Sequence, residues 1–259
     1  MSIAVNVLTS EWTKIRSVRS TYWTLFSAAV TTIGLSAIVC AVYVAQFDKL
    51  TAQDKAGFDA ASTSMVGGIL AQLAIAVLGV LVITSEYGSG MIRATFAAVP
   101  QRLTVLAAKA TVFTAVVVAV TTTACFVAFF IGQGILSAKD AGVSLGAPNA
   151  LRTVVGTGLY LAILGLLALG LGTLIRKTAG AITAIVGILF VLPVLSSFLP
   201  SSMDAIQKYL PSNAATAMLS GSGSAGDDVL SAWLGMGVFF LYAVAVLAAA
   251  AFTLVHHDA

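Results

Sequence analysis

Charged residues are so unevenly spread along this chain that they leave six long apolar intervals without a single one, at 20–47, 60–85, 110–138, 153–175, 178–203 and 229–255. Each is long enough to cross roughly 30 Å of hydrocarbon at about 1.5 Å per helical residue. Composition agrees: 59% of the 259 residues are hydrophobic and only 9% are charged, against about 25% in ordinary soluble domains. A water-facing exterior cannot be built from that supply, so the surrounding solvent is lipid. In lipid the backbone must satisfy its own hydrogen bonds, which leaves helices or closed barrels. Barrel strands alternate polar with apolar residues at about ten-residue spacing; these runs do not alternate. The expected fold class is therefore an all-α integral membrane protein with six transmembrane helices. It forms a single transmembrane domain over 1–259, with spans at about 21–45, 62–85, 110–136, 154–175, 179–199 and 231–254. The first run, although preceded by basic residues, is too long for a signal peptide, and five more follow.

Orientation is read from lysine and arginine, which are retained on the cytoplasmic side during insertion. With the N-terminus inside, Lys14, Arg16, Arg19, Arg93, Arg102, Lys109, Arg176 and Lys177 face the cytoplasm, eight against five (Lys49, Lys55, Lys139, Arg152 and Lys208). Both termini are then cytoplasmic. The fourth and fifth spans are joined by little more than Arg176 and Lys177, which predicts a tight antiparallel hairpin. Pro193 should kink the fifth span near its outer third. The fourth span carries Gly156, Gly158, Gly165, Gly170 and Gly172, suited to close helix packing. Residues 200–228, with two prolines and a Ser/Gly tract, are expected to form an extracellular cap.

Two segments carry more specific information. Ahead of the first span, Ile3, Val7, Leu8, Trp12, Ile15 and Val18 recur at helical spacing, with Lys14, Arg16 and Arg19 beside or opposite them. That pattern predicts an interfacial helix over 1–20, with Trp12 at headgroup depth and its bases towards anionic lipid. Between spans two and three, the 86–109 loop begins at Glu86, passes Gly88 and Gly90, runs as Met91 to Val99 and breaks at Pro100. Glycines on one side and a proline on the other delimit a short helix lying along the membrane. A docking element for a soluble partner is expected there, with Met91, Ile92, Thr95 and Phe96 as its contact face. Glu86 is read as a hinge residue that accepts hydrogen bonds at the helix entry or pairs with a nearby base; a solvated interfacial carboxylate is the alternative.

The stretches EWTKIRSVRSTYWTL, SEYGSGMIRATFAAVPQR followed by LAAKA, and YLPSNAA, with a last span ending before a short polar tail, resemble the ABC-type permeases of actinobacteria. These belong to the type-two ABC exporter class, which includes antibiotic and multidrug exporters. The resemblance runs over essentially the whole chain, and the loop is its most specific part. In that family an acidic residue, a glycine four positions on and a proline ten further on mark a coupling helix that docks into a separate ATPase. Glu86, Gly90 and Pro100 match those positions. The resemblance also implies an N-terminal interface helix, two permease units (identical or different) over two cytoplasmic ATP-binding subunits, and a bacterial cytoplasmic membrane. One departure is His256 and His257, where relatives often carry an arginine pair.

Other chemistries find little here. The only Lys-Thr pair, Lys177 and Thr178, lacks the glycine that a phosphate-binding loop places before its lysine. ATP is therefore expected on another polypeptide, and the chain is expected to be no enzyme itself. Proton-driven transport uses ionisable groups inside the membrane, and the intervals hold none away from their ends; a sodium site of carbonyls and hydroxyls stays open, as does a non-transporting structural or sensory role. Intramembrane proteolysis would need His or Asp in the spans, and they have neither. Cys40 and Cys125 sit in apolar runs and read as small buried side chains, with no metal-ligand spacing. No cofactor, metal or nucleic acid is expected. Thr31, Thr32, Gln72, Thr121, Thr122, Thr123 and Gln133 could line a pathway or bond their own helices; the cargo is expected to be amphipathic or drug-like.

Overall fold

The protein is described from a computed structural model covering residues 3–198, 207, 209–211 and 230–256. The expected cap at 200–228, the end of the fifth span and His257 fall outside the described residues, apart from 207 and 209–211. In chain order the helices are α1 (Ile3–Ser17), α2 (Arg19–Gln46), α3 (Ala52–Ala56), α4 (Ala60–Thr63), α5 (Gly68–Gly88), α6 (Met91–Ala98), α7 (Arg102–Leu136), α8 (Ala150–Ile175), α9 (Thr178–Val186), α10 (Leu192–Ser196) and α11 (Ala232–His256). Among the described residues, six helical runs are long and apolar enough to cross a membrane: α2, α5, α7, α8, the run from α9 through α10, and α11. The chain is an all-α, multi-pass membrane protein.

The bundle is built around α8. Of its most apolar window 83% is buried, against 28% for α2, 22% for α11 and 11% for the α9–α10 run. Lipid tails are as apolar as leucine, so helices associate in a bilayer by close packing rather than by expulsion of water. The glycines of α8 provide that closeness. A Cβ on Gly79 of α5 would lie 2.4 Å from the carbonyl oxygen of Gly165, so these two backbones touch where α5 crosses α8. Gly158 meets Thr122 of α7, Gly172 meets Ile83 of α5, and Gly170 meets Val246 and Leu247 of α11. Phe113, Leu161, Leu164, Leu167 and Phe239 fill the spaces between. Tyr22, Trp23 and Phe26 on α2, Leu195 and Phe198 at the end of the fifth span, and Leu241 and Phe252 on α11 are exposed, the pattern of side chains that meet lipid.

Two spans depart from the expected bounds. The 60–85 interval is not one helix. Asp59 accepts from the N–H groups of Ala61 and Ser62 and starts α4; the chain then turns through 64–67 before α5 begins. Gly67 lies against the middle of α2, where a Cβ would come within 2.1 Å of the Thr32 carbonyl oxygen, and its N–H donates to Ser36 Oγ at 3.0 Å. The third span starts at Arg102 rather than near 110, because the chain resumes its helix as soon as Pro100 is passed. At 35 residues α7 is roughly 50 Å long and reaches beyond the hydrocarbon. In the fifth span the proline effect takes the form of a widened π turn, Gly187–Val191, directly before Pro193.

Candidate functional site

The α1 end of the bundle gathers the loop between α5 and α7, and it holds most of the residues singled out in the sequence. Gly88 closes α5, and Gly90 adopts φ 73°, ψ 1°, a left-handed conformation that reverses the chain direction ahead of α6. Only glycine takes this conformation without strain. Val99 is extended (φ −131°, ψ 92°), as a residue preceding proline prefers, and Pro100 separates α6 from α7. The punctuation read from the sequence thus bounds an eight-residue helix.

The face that α6 presents differs from the expected one. Ile92 is only 2% exposed, and Phe96 is half-buried against the core. With Ile83, Val105 and Leu106 they wall a narrow apolar cleft beneath the helix that reaches Lys109. Residues four apart share one face of a helix, and the most apolar pair, Ile92 and Phe96, is drawn inward. Met91, Arg93, Ala94, Ala97 and Ala98 face outward, with Thr95 at the edge. The expected contact face is corrected accordingly: Met91 stays on it, and Ile92 and Phe96 support it from behind.

The chemistry behind α6 is ionic. Lys109 Nζ lies 2.7 Å from Glu86 Oε1 and 2.5 Å from Glu11 Oε2. Lys14 Nζ lies 2.6 Å from Glu11 Oε1 and 3.1 Å from Glu86 Oε1. Glu11, Glu86 and Lys109 are 2–3% exposed, and Lys14 is 24% exposed. Two carboxylates and two ammoniums form a closed, neutral ring drawn from α1, α5 and α7. Of the two readings of Glu86, pairing with a base holds and solvation does not. Burial works against the Lys14 ammonium, but its hydrogen bond to Glu11 and the Glu86 and Glu11 charges together hold its pKa above the usual 10.5. Glu86 Oε2 is buried with no hydrogen-bond partner.

Sequence reasoning missed Glu11 and Lys109. Of the interfacial stripe, Trp12 and Val18 are exposed and Val7 is buried; beside it Glu11 turns towards α7 and Lys14 reaches Glu86 of α5. The usable signal is that Glu11 is the sole acid in the first 47 residues and lies four from both Val7 and Ile15. Arg16 and Arg19 are exposed. Val7 packs on Val105 and Ala108, with Leu8, Phe96 and Val99 around them; α1 therefore also touches the base of α6.

Further ties reach the other helices. Tyr87, next to Glu86, lies with its ring 5.6 Å from the Arg176 guanidinium in the α8–α9 turn, where Thr178 Oγ1 donates to Thr84 Oγ1 at 2.9 Å. Arg102 donates to the Leu254 carbonyl of α11 at 2.8 Å. The α1 end thereby joins α1, α5, α7, α8, α9 and α11 through polar contacts around α6. Compared with known proteins, the chain matches no family model and no curated sequence. Among the described residues no cluster of His, Cys, Asp and Glu could hold a metal ion, and Cys40 and Cys125 are buried free thiols.

Polar residues inside the spans bond to their own helix or to a neighbouring one. Thr31, Thr32 and Thr123 donate to carbonyls four residues back, and Thr121 to Val117 and Gly158. Gln72 accepts from the Tyr160 hydroxyl at 2.5 Å. Gln133 donates to Ala60 and Ser64 and accepts from the Val143 N–H.

Proposed function

We propose that this chain is the membrane-spanning permease subunit of an ATP-driven ABC exporter, with its α1 end in the cytoplasm. The observation that carries the reading is α6. A short helix stands at the end of a membrane bundle with small side chains and one arginine facing outward. Its apolar underside and both flanking helices are tied into the six spans. A soluble motor pressing on such a helix would move α5 and α7 together through Glu86 and Lys109, and α8–α9 through Tyr87 and Thr84. Closure of a separate ATP-binding subunit would in this way rock the spans and open a cavity between two permease units to alternate sides. ATP would be bound and hydrolysed by that partner.

The cargo fits an amphipathic or drug-like molecule. Lipid-like surfaces suit such a substrate, and most of the described span threonines turn their hydroxyls to helix carbonyls, away from a hydrated channel. A resistance panel in cells lacking or overproducing the permease with its ATPase tests this; a response confined to inorganic ions would refute the cargo assignment.

Two measurements test the coupling. An Ala97→Cys variant should resist a membrane-impermeant maleimide added to intact cells and react in inverted vesicles; labelling in intact cells would put α6 out of the motor's reach and end the proposal. Gly90→Pro, whose ring fixes φ near −65° where the backbone needs +73°, should insert normally and abolish ATP-driven transport. Transport at the native rate would remove α6 from the mechanism.

A further inference from the structure

The Glu11–Lys109 pair has no place in the reading of α6 as a docking helix, yet it is among the most buried ionic contacts described. Helix α1 is joined to α2 by one residue, Val18, in an extended conformation (φ −86°, ψ 110°), and no side chain caps the start of α2. A one-residue joint gives α1 freedom to swing. What holds it against α5 and α7 is a small apolar patch (Val7 on Val105 and Ala108, with Ile15 against the core) and the charges of Glu11, towards Lys109, and Lys14, towards Glu86. The patch alone is modest. The charges are strong in a water-poor site, and they are specific, because either carboxylate or either ammonium left alone there would be costly.

The geometry of the ring adds a second point. Glu86 lies four residues before Gly90, and Lys109 lies nine after Pro100, so the two ends of the α6 segment converge on one site. The residue that meets Lys109 from outside that segment is Glu11. We infer that α1 is a charge-locked arm, and that Glu11 and Lys109 are positioning residues that hold α1 and α6 together as one moving body. The arm's outer side carries Trp12 and Arg16, both exposed, with exposed Arg19 just past the joint at the start of α2, so the body that takes the motor's push also rests on the membrane surface. The mechanical part of this inference rests on the proposed coupling role of α6; the lock itself does not.

The test uses the full chain in nanodiscs, with the two native cysteines replaced and spin labels at exposed positions, Thr9→Cys on α1 and Ala97→Cys on α6. The native background should give one narrow distance distribution. Glu11→Leu and Lys109→Met should each broaden it, since each leaves an unmatched charge in the ring. The double variant Glu11→Leu/Lys109→Met removes the Glu11–Lys109 attraction without leaving an unmatched charge and fills the same space, and it should stay broad. A merely space-filling role would return the narrow distribution. If a single variant does not fold, Glu11→Gln, which keeps the shape and removes the charge, is read by the same criterion. Single variants that match the native distribution, or a double variant as narrow as the native chain, would overturn the lock. With a copurified ATPase, the native distance should be unchanged between the nucleotide-free and vanadate-trapped states, and a native distance that shifts between them would refute the single moving body. If no ATPase copurifies, the proposed function fails while the nucleotide-free distances still decide the lock.

Discussion

The two ends of this bundle are joined by different physics. At the α1 end, three helices meet through four charges, three of them almost wholly removed from water. At the opposite end, α2, α4 and α7 meet through neutral groups and steric closeness. Ser64 is fully buried and accepts from Gln133 at 2.9 Å, Gly132 is packed on Ser64 and Cys40, and, towards the middle of α2, Gly67 is pressed on Thr32. The Lys139–Asp48 ion pair at that end, 2.8 Å long, is exposed. Neutral contacts of this kind hold a single arrangement. A ring of charges is all-or-none: complete, it is rigid; with one member missing, it is worse than none at all. The end proposed to receive mechanical work has the contact that holds its helices as one body, and the far end relies on close neutral packing.

The largest effect that would separate the two ends is loss of a buried charge. Lys109→Met should destabilise the protein by about 3–5 kcal/mol, read as a shift of unfolding in detergent, and Glu11→Leu in the same chain should recover much of it. No such rescue should exist at the far end. Gly67→Ala places a Cβ 2.1 Å from a backbone oxygen, so α4 or α2 must shift, at a cost of about 1–3 kcal/mol. Removing charges elsewhere should leave that loss untouched. If Lys109→Met cost no more than an exposed lysine does, the contrast between the ends would disappear.

Most of the fold was legible because lipid imposes a single rule on composition: a run of uncharged apolar residues longer than about 20 is a span. The eight-residue helix between Gly90 and Pro100 was legible because glycine and proline act on the backbone locally. What could not be read were features decided by neighbours distant in sequence. The 60–85 interval looked like one span, and only the press of Thr32 on Gly67 accounts for its break; the adjacent Gly67 and Gly68 were the available hint. Helix α1, read over 1–20, runs over Ile3–Ser17; what hydropathy hid was Glu11, which it ranks as outward. Pairing with Lys109, 98 positions away, reverses that ranking. The same long-range packing drew Ile92 and Phe96 off the expected docking face.

Smaller effects sharpen the comparison. Gln133→Leu should cost about 1 kcal/mol, within the range for hydrogen bonds between membrane helices; it would free α4 from α7 while leaving the Thr9–Ala97 distance at the other end unchanged. Movement of that distance would mean the two ends are not independent.

The smallest effect is titration of Lys14. Its folded pKa is raised above 10.5, so the stabilisation it contributes is complete below 10.5, the unfolded value, and is lost as pH rises through the folded value. The groups facing it are Glu11 and Glu86, with Lys109 on the far side of both carboxylates. As Lys14 is a quarter exposed, water screens part of its interaction, and the alkaline loss should be modest. It should appear first as a broadening of the α1–α6 distance rather than as global unfolding, because α1 is the only helix of the three held by a one-residue joint. A Lys14→Met chain should lack this alkaline step and start from a looser arm at neutral pH. An arm that loosens instead as pH falls from 10 towards neutrality would have the wrong sign for an ammonium held by carboxylates, and the ring could not then be what fastens it.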